Sequence, residues 1–291
     1  MSDDIPDIKF LLDQGYISYL DYYFAQHLAR LSPSPGPLLR LACALLSRAV
    51  SRGHVFLDLD ELQGNKLEAV DEKNPSVQPV CPLKPQWIDA LAGSGLVSGT
   101  TATPMVLESG RRLYLSRYYD FQQRLVDNIV QRVSIDNAQD IEEEFKYLAD
   151  PYFKGSGDEE KRYCMQRQAV LKSLMFRFSI ITGGPGTGKT HITRIVMDIL
   201  ENNPAVFGRN PAILSLAPTG KAAARLYNGK TIHRAIGIQD HKPGVRHHKD
   251  NPVKCDAVII DEASMIDMAL MVRLLEAIPL KARVIMLGDP D

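Results

Sequence analysis

Several features that mark other classes of protein are absent from this sequence of 291 residues. No apolar run approaches the roughly 18 residues that a membrane-spanning helix needs. The acidic first ten residues lack the basic-then-apolar layout of a signal peptide. The four cysteines are far apart and form no Cys-x-x-Cys pair, which argues against a zinc site or a disulfide framework. We therefore expect a cytoplasmic protein with reduced thiols and no membrane partner.

Acidic residues are scarce in one part of the chain. Residues 161–250 carry 15 basic side chains against only four acidic ones. Over the whole chain, residues 1–160 carry 15 basic and 24 acidic side chains, whereas residues 161–291 carry 19 and 11. A basic region attracts a polyanion by releasing its counterions, and an acidic region repels it. The asymmetry predicts two modules with different partners, and nucleic acid on the second half only.

The first 155 residues have a mainly helical pattern. Apolar residues at three- and four-residue spacing predict helices over 7–31 and 37–52. Two β-prone runs, at 104–107 and 113–115, flank a glycine and predict a small β-hairpin. The glycine-rich stretch 154–158 is the best candidate linker. We expect an N-terminal domain over 1–155 and a second domain over 156–291.

The second half alternates short apolar runs with helical patterns. The apolar runs lie at 178–181, 212–216, 257–260 and 284–287. Such alternation predicts an α/β fold, in which a parallel sheet lies between layers of helices.

A glycine-rich segment follows the first of these apolar runs. Its sequence is Gly183-Gly184-Pro185-Gly186-Thr187-Gly188-Lys189-Thr190, which matches the pattern Gly-x-x-x-x-Gly-Lys-Ser/Thr. In a strand–loop–helix context, the backbone N–H groups of such a loop surround phosphate oxygens. Lys189 then reaches the β- and γ-phosphates, and the Thr190 hydroxyl binds Mg²⁺. The segment predicts a phosphate loop that binds ATP with Mg²⁺.

Two carboxylates end the apolar run at 257–260. Asp261 is expected beside the Mg²⁺, and Glu262 is expected to polarise the attacking water. An Asp-Glu pair at the end of a strand is often only solvated, but its position after a phosphate loop favours a catalytic role. We therefore predict Lys189, Asp261 and Glu262 as catalytic residues.

Several further motifs resemble those of superfamily-1 DNA helicases, in particular the RecD-type branch. Gln166-Arg167-Gln168-Ala169 resembles the adenine-reading motif, with Gln166 as the reader and Gln168 as the alternative. Asp261-Glu262-Ala263-Ser264-Met265 is similar to the Mg²⁺ motif, and residues 287–291 to the start of the third motif, with Asp289 near the nucleotide. The resemblance implies a RecA-like motor domain.

Two more stretches resemble the DNA-contacting motifs of this family. Ala217-Pro218-Thr219-Gly220-Lys221-Ala222-Ala223 implies DNA contacts by residues 218–221, and Thr231-Ile232-His233-Arg234 implies contacts by Thr231 and His233. The alternatives are a solvated lysine at Lys221 and a structural histidine at His233. The nearby histidines 241, 247 and 248 are expected in a basic loop rather than at a metal.

The stretch 104–119 resembles the RecD N-terminal domain, which docks on a RecC-like partner; it is alternatively a hairpin packed only in its own core. The resemblance implies an ATP-dependent, 5′→3′ helicase subunit that acts on single-stranded or duplex-end DNA. Its complex would be a RecBCD-like heterotrimer, an exodeoxyribonuclease V of double-strand break repair and recombination, with RecC-like and RecB-like subunits. A stand-alone or conjugative helicase and a nucleotide-binding interaction module remain alternatives. Because the sequence stops within the third motif, we expect residues 1–291 alone to be inactive as a motor.

Overall fold

The computed structural model describes residues 5–69, 78–134, 142–153, 158–203, 209–238 and 244–289. The chain divides into two compact units, Met1–Gln122 and Gln123–Asp291. No helix of the described residues is long and apolar enough to span a membrane. The boundary expected at residue 155 falls in the predicted linker, of which residues 154–157 lie outside the described residues. The observed division comes earlier, at Gln122.

The first unit is mainly helical and contains one small sheet. Its helices are α1 (Ile8–Asp13), α2 (Tyr19–Ala29), α3 (Pro37–Ser51), α4 (Leu59–Leu62) and α5 (Lys84–Ala92), and its strands are β1 (Phe56–Asp58), β2 (Val97–Ser98), β3 (Met105–Glu108) and β4 (Arg112–Leu115). Helix α6 (Ser116–Ser134) begins in this unit and continues into the second.

The prediction of one helix over 7–31 is wrong. Gly15 adopts a φ of +75°, a backbone region that favours glycine, shortly after α1 ends. A new helix then begins at Ser18, whose hydroxyl and the Asp21 carboxylate form a reciprocal capping box. These two local signals divide the predicted helix into α1 and α2.

The predicted hairpin is confirmed as β3 and β4, which pair antiparallel around a turn with positive φ at Ser109 and Gly110. It forms the centre of a four-stranded sheet in the order β1-β4-β3-β2. Met105 and Leu113 are buried in the core that α3 and Trp87 also form. The hairpin therefore packs in the core of the first unit. Such packing was predicted by the alternative to the partner-docking interpretation.

The second unit has the predicted α/β fold. Its helices are α7 (Glu142–Ala149), α8 (Asp158–Met175), α9 (Lys189–Asn202), α10 (Gly220–Ala223), α11 (Ile232–Ile236) and α12 (Met268–Ala277), and its strands are β5 (Phe178–Thr182), β6 (Ile213–Ala217), β7 (Lys230–Thr231), β8 (Ala257–Ile260) and β9 (Arg283–Gly288). The strands form one parallel sheet in the order β5-β9-β8-β6-β7. Two apolar clusters, one with α8 and α9 and one with α11 and α12, contain the buried apolar side chains of the sheet other than Ala217. This is a RecA-like phosphate-loop domain.

The second half of α6 explains why the division falls at Gln122. Within the second unit, Arg124 donates two hydrogen bonds to Glu276, of 2.8 and 2.7 Å. Arg132 is fully buried and donates to backbone carbonyls at the end of α12, including those of Leu275 at 2.9 Å and Ile278 at 2.7 Å. Residues 123–134 thus pack as part of the ATPase-like unit.

This division also changes the interpretation of the charge asymmetry. Residues 1–122 carry 11 basic and 14 acidic side chains, so the first unit is only weakly acidic. Most of the acidic excess lies in residues 123–160, which belong to the second unit.

Candidate active site and nucleic-acid interface

The sequence-predicted site residues gather at the carboxyl edge of the parallel sheet. In a parallel sheet all carboxyl ends meet at one edge, where ligands bind in α/β folds. From one side of that edge to the other, the strands lead into the phosphate loop (β5), Asp289 (β9), Asp261 and Glu262 (β8), the segment 218–221 (β6), and Thr231 (β7). Nucleotide candidates therefore occupy one side of the edge and DNA candidates the other.

The phosphate loop connects β5 to α9 through backbone conformations that require glycine. Gly186 has a φ of +76°, and Gly188, which caps α9, a φ of +95°. A Cβ atom on Gly188 would lie 2.5 Å from the Gln166 amide nitrogen, and one on Gly183 would lie 2.7 Å from the Thr187 hydroxyl. Nothing lies within 4 Å of a Cβ built on Gly184. The loop is tightly packed at its ends and open at its centre, as a phosphate cradle requires.

Lys189 is the first residue of α9, and its ammonium group lies over the phosphate loop. It donates hydrogen bonds to the carbonyls of Gly183 and Gly184, the latter at 3.1 Å. Its Nζ atom lies 3.9 Å from Oδ2 of Asp289. The other carboxylate oxygen of Asp289 is buried and has no hydrogen-bond partner among the described residues. A buried carboxylate oxygen without a partner fits a site that also binds a polar ligand.

Gln166 contacts the phosphate loop directly. Its amide nitrogen donates to the Thr187 carbonyl at 3.0 Å, while its amide oxygen is buried and has no partner within the described chain. A cavity of about 710 Å³ lies beside it, with the exposed side chains of Met165 and Ile180 in its lining. Gln168 lines the same cavity, but it is exposed and its amide contacts Cys164 on the same helix. Gln166 therefore has the better geometry for contacting a base.

Asp261 and Glu262 follow β8 in an unusual backbone conformation. The Asp261 carboxylate accepts a 3.0 Å hydrogen bond from the Glu262 N–H. Glu262 itself adopts a φ of +54°, which is uncommon for residues other than glycine and which clusters at functional sites. A Cβ atom on Gly288 would lie 3.1 Å from the Ser264 nitrogen, so β9 approaches this turn closely. The left-handed residue could not be inferred from the sequence.

The residues at this edge fit a Mg²⁺ ion. The Thr190 hydroxyl and the Asp261 carboxylate are oxygen donors, the ligand type that Mg²⁺ prefers, and Mg²⁺ usually takes its remaining ligands from phosphate and water. Thr190 is exposed in the first turn of α9, and only one Asp261 oxygen accepts the Glu262 N–H.

The two candidate DNA-binding segments share one local design. Thr219 caps α10 by accepting the Ala222 N–H at 3.2 Å, and Thr231 caps α11 by accepting the Arg234 N–H at 3.3 Å. Each threonine hydroxyl keeps its hydrogen for donation to a phosphate. Lys221 and His233, each two residues after its threonine, are both exposed. Pro218 and Gly220 complete the first segment. Each segment therefore presents a hydroxyl and a nearby exposed basic side chain.

His247 and His248 lie in a local turn between α11 and β8. His247 Nδ1 lies 3.2 Å from the Asn251 carbonyl, and His248 Nδ1 lies 3.7 Å from the Asp250 carboxylate. His241 lies outside the described residues. Among the residues that are described, no group of three or more His, Cys, Asp and Glu side chains could hold a metal ion.

The fold and this site define the class of protein: a RecA-like phosphate-loop domain joined to a separate N-terminal unit. Residues 166–291 match a family model described as an AAA domain. Residues 13–114 match the model described as the N-terminal domain of RecBCD enzyme subunit RecD.

Curated relatives agree with these matches. RecBCD enzyme subunit RecD of Mycolicibacterium smegmatis is 32% identical over 93% of this chain and 49% of the relative, and its counterpart in Buchnera aphidicola is 26% identical over 94% and 47%. The ATP-dependent RecD2 DNA helicase of Deinococcus radiodurans is 37% identical over 50% of this chain and 21% of the relative. The chain spans about half the length of the RecD subunits it matches. Over most of its length, the chain is similar to RecBCD enzyme subunit RecD.

Proposed function

We propose that this chain supplies the nucleotide-binding and DNA-gripping part of an ATP-dependent, 5′→3′ DNA helicase subunit in a RecBCD-like complex. The observation that carries the proposal is the shared sheet edge, which brings a phosphate loop and two threonine-capped, basic segments together. RecC-like and RecB-like subunits are the proposed protein partners, and single-stranded or duplex-end DNA is the proposed nucleic acid. The four free cysteines fit the reducing cytoplasm, where we place the protein.

Each residue of the nucleotide side has a distinct proposed role. Lys189 exchanges its loop carbonyls for the β- and γ-phosphates of ATP and offsets their charge, while Gln166 offers a free amide oxygen to the adenine amino group. Thr190 and Asp261 would hold Mg²⁺, which when bound neutralises charge that develops on the phosphates. Glu262 orients the attacking water. Asp289 fixes the position of the Lys189 ammonium group.

The sheet provides a route by which nucleotide state reaches the DNA side. The backbone N–H of Asp261 donates to the Leu216 carbonyl of β6 at 2.9 Å. Leu216 lies three residues before Thr219, which caps the first DNA-binding segment. A shift of Asp261 that accompanies nucleotide binding would therefore act on the strand that positions Thr219 and Lys221.

A stand-alone helicase is the second candidate, because the relative named RecD2 has higher identity over half of the chain. The match of residues 13–114 to the RecD N-terminal domain and the 93% coverage by a RecD subunit favour the complex. The two candidates differ in one measurement. RecC-like and RecB-like subunits fixed to a surface should retain the chain if it works in a complex, and should not retain it if it works alone.

The DNA interface is tested by the salt dependence of single-strand binding. Replacing Lys221 with alanine should weaken binding to all sequences alike and lower the log–log salt slope by about 0.7, because one phosphate contact is lost. Lys281→Ala is the matched control, since Lys281 is an exposed lysine just before β9, at the opposite edge of the sheet. An unchanged salt slope for Lys221→Ala would place the DNA elsewhere.

A further inference from the structure

A second cavity, of about 550 Å³, lies between α9 and the segment that follows α10. Thr190 and Arg194 of α9 line one wall, and Arg225, Leu226 and Tyr227 line the other. Gln166, Gly183 and Gly186 line the other cavity. None of the roles proposed above uses Arg194, Arg225 or Tyr227.

The segment that carries Tyr227 is a closed loop at the DNA side of the sheet edge. It leaves β6 after Ala217 and enters β7 at Lys230. Because β7 pairs in parallel with the end of β6, with Leu216 opposite Lys230, the loop returns to the edge from which it departed. Tyr227 therefore lies near the same edge as Thr219 and Lys221.

A tight turn holds Tyr227 in position. The Leu226 N–H donates to the Ala223 carbonyl at 3.1 Å, and the Gly229 N–H donates to the Leu226 carbonyl at 3.2 Å. Asn228 adopts a φ of +51°, and a Cβ on Gly229 would lie 2.1 Å from the Ala223 carbonyl oxygen, so only glycine fits there. The Tyr227 side chain nevertheless remains 68% exposed. A turn that fixes the backbone at an exposed aromatic residue lowers the entropy lost when a ligand stacks on its ring.

The charges around the ring suit a polyanion. Arg194 and Arg225 are exposed, and neither has a hydrogen-bond or ion-pair partner among the described residues. The described stretch 209–238 contains five basic residues and no acidic one: Arg209, Lys221, Arg225, Lys230 and Arg234. An aromatic platform combined with cations is the chemistry by which proteins bind single-stranded nucleic acid.

The carboxylates on the α9 wall restrict how such a strand could lie. Asp198 accepts hydrogen bonds from Tyr152 and, at 2.7 Å, from Asn202. Together with Glu201, it makes the C-terminal part of that wall unfavourable for phosphate, whereas Arg194 lies four residues before Asp198. A strand that bound here would have its phosphates toward Arg225 and its bases toward the cavity.

We infer that Tyr227 is a stacking platform for an unpaired base of single-stranded DNA, and that Arg225 binds the phosphate beside that base. The inference rests on the proposed DNA-binding function and adds a base contact to the phosphate contacts of Thr219 and Lys221. Stacking tolerates any sequence, because every base has a π-face. The platform would therefore hold the strand without selecting its sequence.

The test measures binding of the full 291-residue chain to an oligothymidine strand by fluorescence anisotropy. Tyr227→Ala should weaken binding by about five-fold to a hundred-fold, whereas Tyr227→Phe should retain it within about two-fold because the ring remains. The salt slope of Tyr227→Ala should stay unchanged, since no phosphate contact is lost, and that of Arg225→Ala should fall by about 0.7. Tyr147→Ala, at an 80% exposed tyrosine on α7, is the matched control and should bind normally.

A strand of the same length that lacks its bases separates stacking from other effects. The wild-type chain should bind this abasic strand more weakly than oligothymidine, and Tyr227→Ala should lose that preference. The platform would be overturned if wild type and Tyr227→Ala bound oligothymidine with equal affinity. It would also be overturned if the alanine and phenylalanine variants lost equal affinity. Neither result would contradict the Lys221 contact. Failure of the wild-type chain to bind any single strand would overturn both the platform and the proposed DNA-binding function.

Discussion

Arg132 gives a prediction that separates the two units of the chain. Its guanidinium is fully buried and has no carboxylate partner among the described hydrogen bonds; burial lowers its pKa to about 10, so it stays protonated at neutral pH. It donates to the carbonyls of Leu275, Ile278, Pro279 and Ala282, which follow or end α12. A cation at this position stabilises the unpaired carbonyls at the end of a helix. We consider its replacement by methionine, which keeps most of the apolar stem.

The number of carbonyl groups left without a donor determines how far the substitution should lower the free energy of unfolding. The Leu275 carbonyl keeps a second donor in Asn128, and that of Pro279 keeps the Ala282 N–H. In the described part of the chain, the Ile278 carbonyl has no second donor. One or two buried carbonyls are thus left unpaired, at about 1–3 kcal/mol each. Arg132→Met should therefore lower the free energy of unfolding of the second unit by about 2–4 kcal/mol, and Arg132→Ala by about 2 kcal/mol more through lost stem burial.

Urea unfolding followed by two probes tests this reasoning. The single tryptophan, Trp87, lies buried in the first unit, so its fluorescence reports on that unit alone. Hydrogen exchange of residues 268–282 reports on the second unit. The variant should lower the second midpoint by about 1–2 M urea and leave the Trp87 transition in place. Arg273→Met, at an exposed arginine on α12, is the control. An unmoved second midpoint, or equal shifts of both probes, would refute the assignment of residues 123–134 to the second unit.

Three further predictions concern the nucleotide side. Lys189→Ala should reduce ATP affinity by about ten-fold to a hundred-fold, since a charge-assisted contact is lost; unchanged affinity by calorimetry would contradict the assigned role. Gly188→Ala should also impair nucleotide binding, because its new Cβ would displace the Gln166 amide, whereas Gly184→Ala, with open space around its Cβ, should be milder; equal effects would argue against this contact. The 291-residue polypeptide alone should bind ATP but hydrolyse it near background, because the cations that line the described nucleotide cavity are Lys172 and Lys189 and include no arginine, a residue that typically contributes about 10³–10⁵ in rate. DNA-stimulated turnover by this polypeptide in steady-state assays would refute that prediction.

Much of the second unit could be predicted from its sequence because its signals are local. The strands β5, β6, β8 and β9 lie within a residue or two of the predicted apolar runs, and the phosphate loop follows β5 as expected. The assignment of individual nucleotide and DNA contacts stays a prediction. In the first unit, β1 and β2 are only three and two residues long, too short for an alternating pattern to be recognised. They become strands because the hairpin offers them pairing edges.

The division between the units depends on contacts that sequence cannot reveal. Arg132 contacts carbonyl groups that lie more than 140 residues away in the sequence. Without those contacts, an arginine-containing helix such as α6 resembles any solvated helix. The glycine-rich stretch at 154–158 was the stronger local signal for a linker. The positive φ at Glu262 likewise reflects packing of the turn against Gly288, which the local sequence does not encode.

The strand order has a consequence for the sequence of events during synthesis. In the described sheet, β5 pairs only with β9. The strand that precedes the phosphate loop therefore cannot pair until a strand more than 100 residues later in the sequence has been synthesised. A chain emerging from the ribosome could pair β6 with β8 well before β5 finds its place. The loop would then remain attached to an unpaired edge strand until β9 has left the exit tunnel. Nucleotide affinity would appear late and abruptly in a series of stalled nascent chains of increasing length.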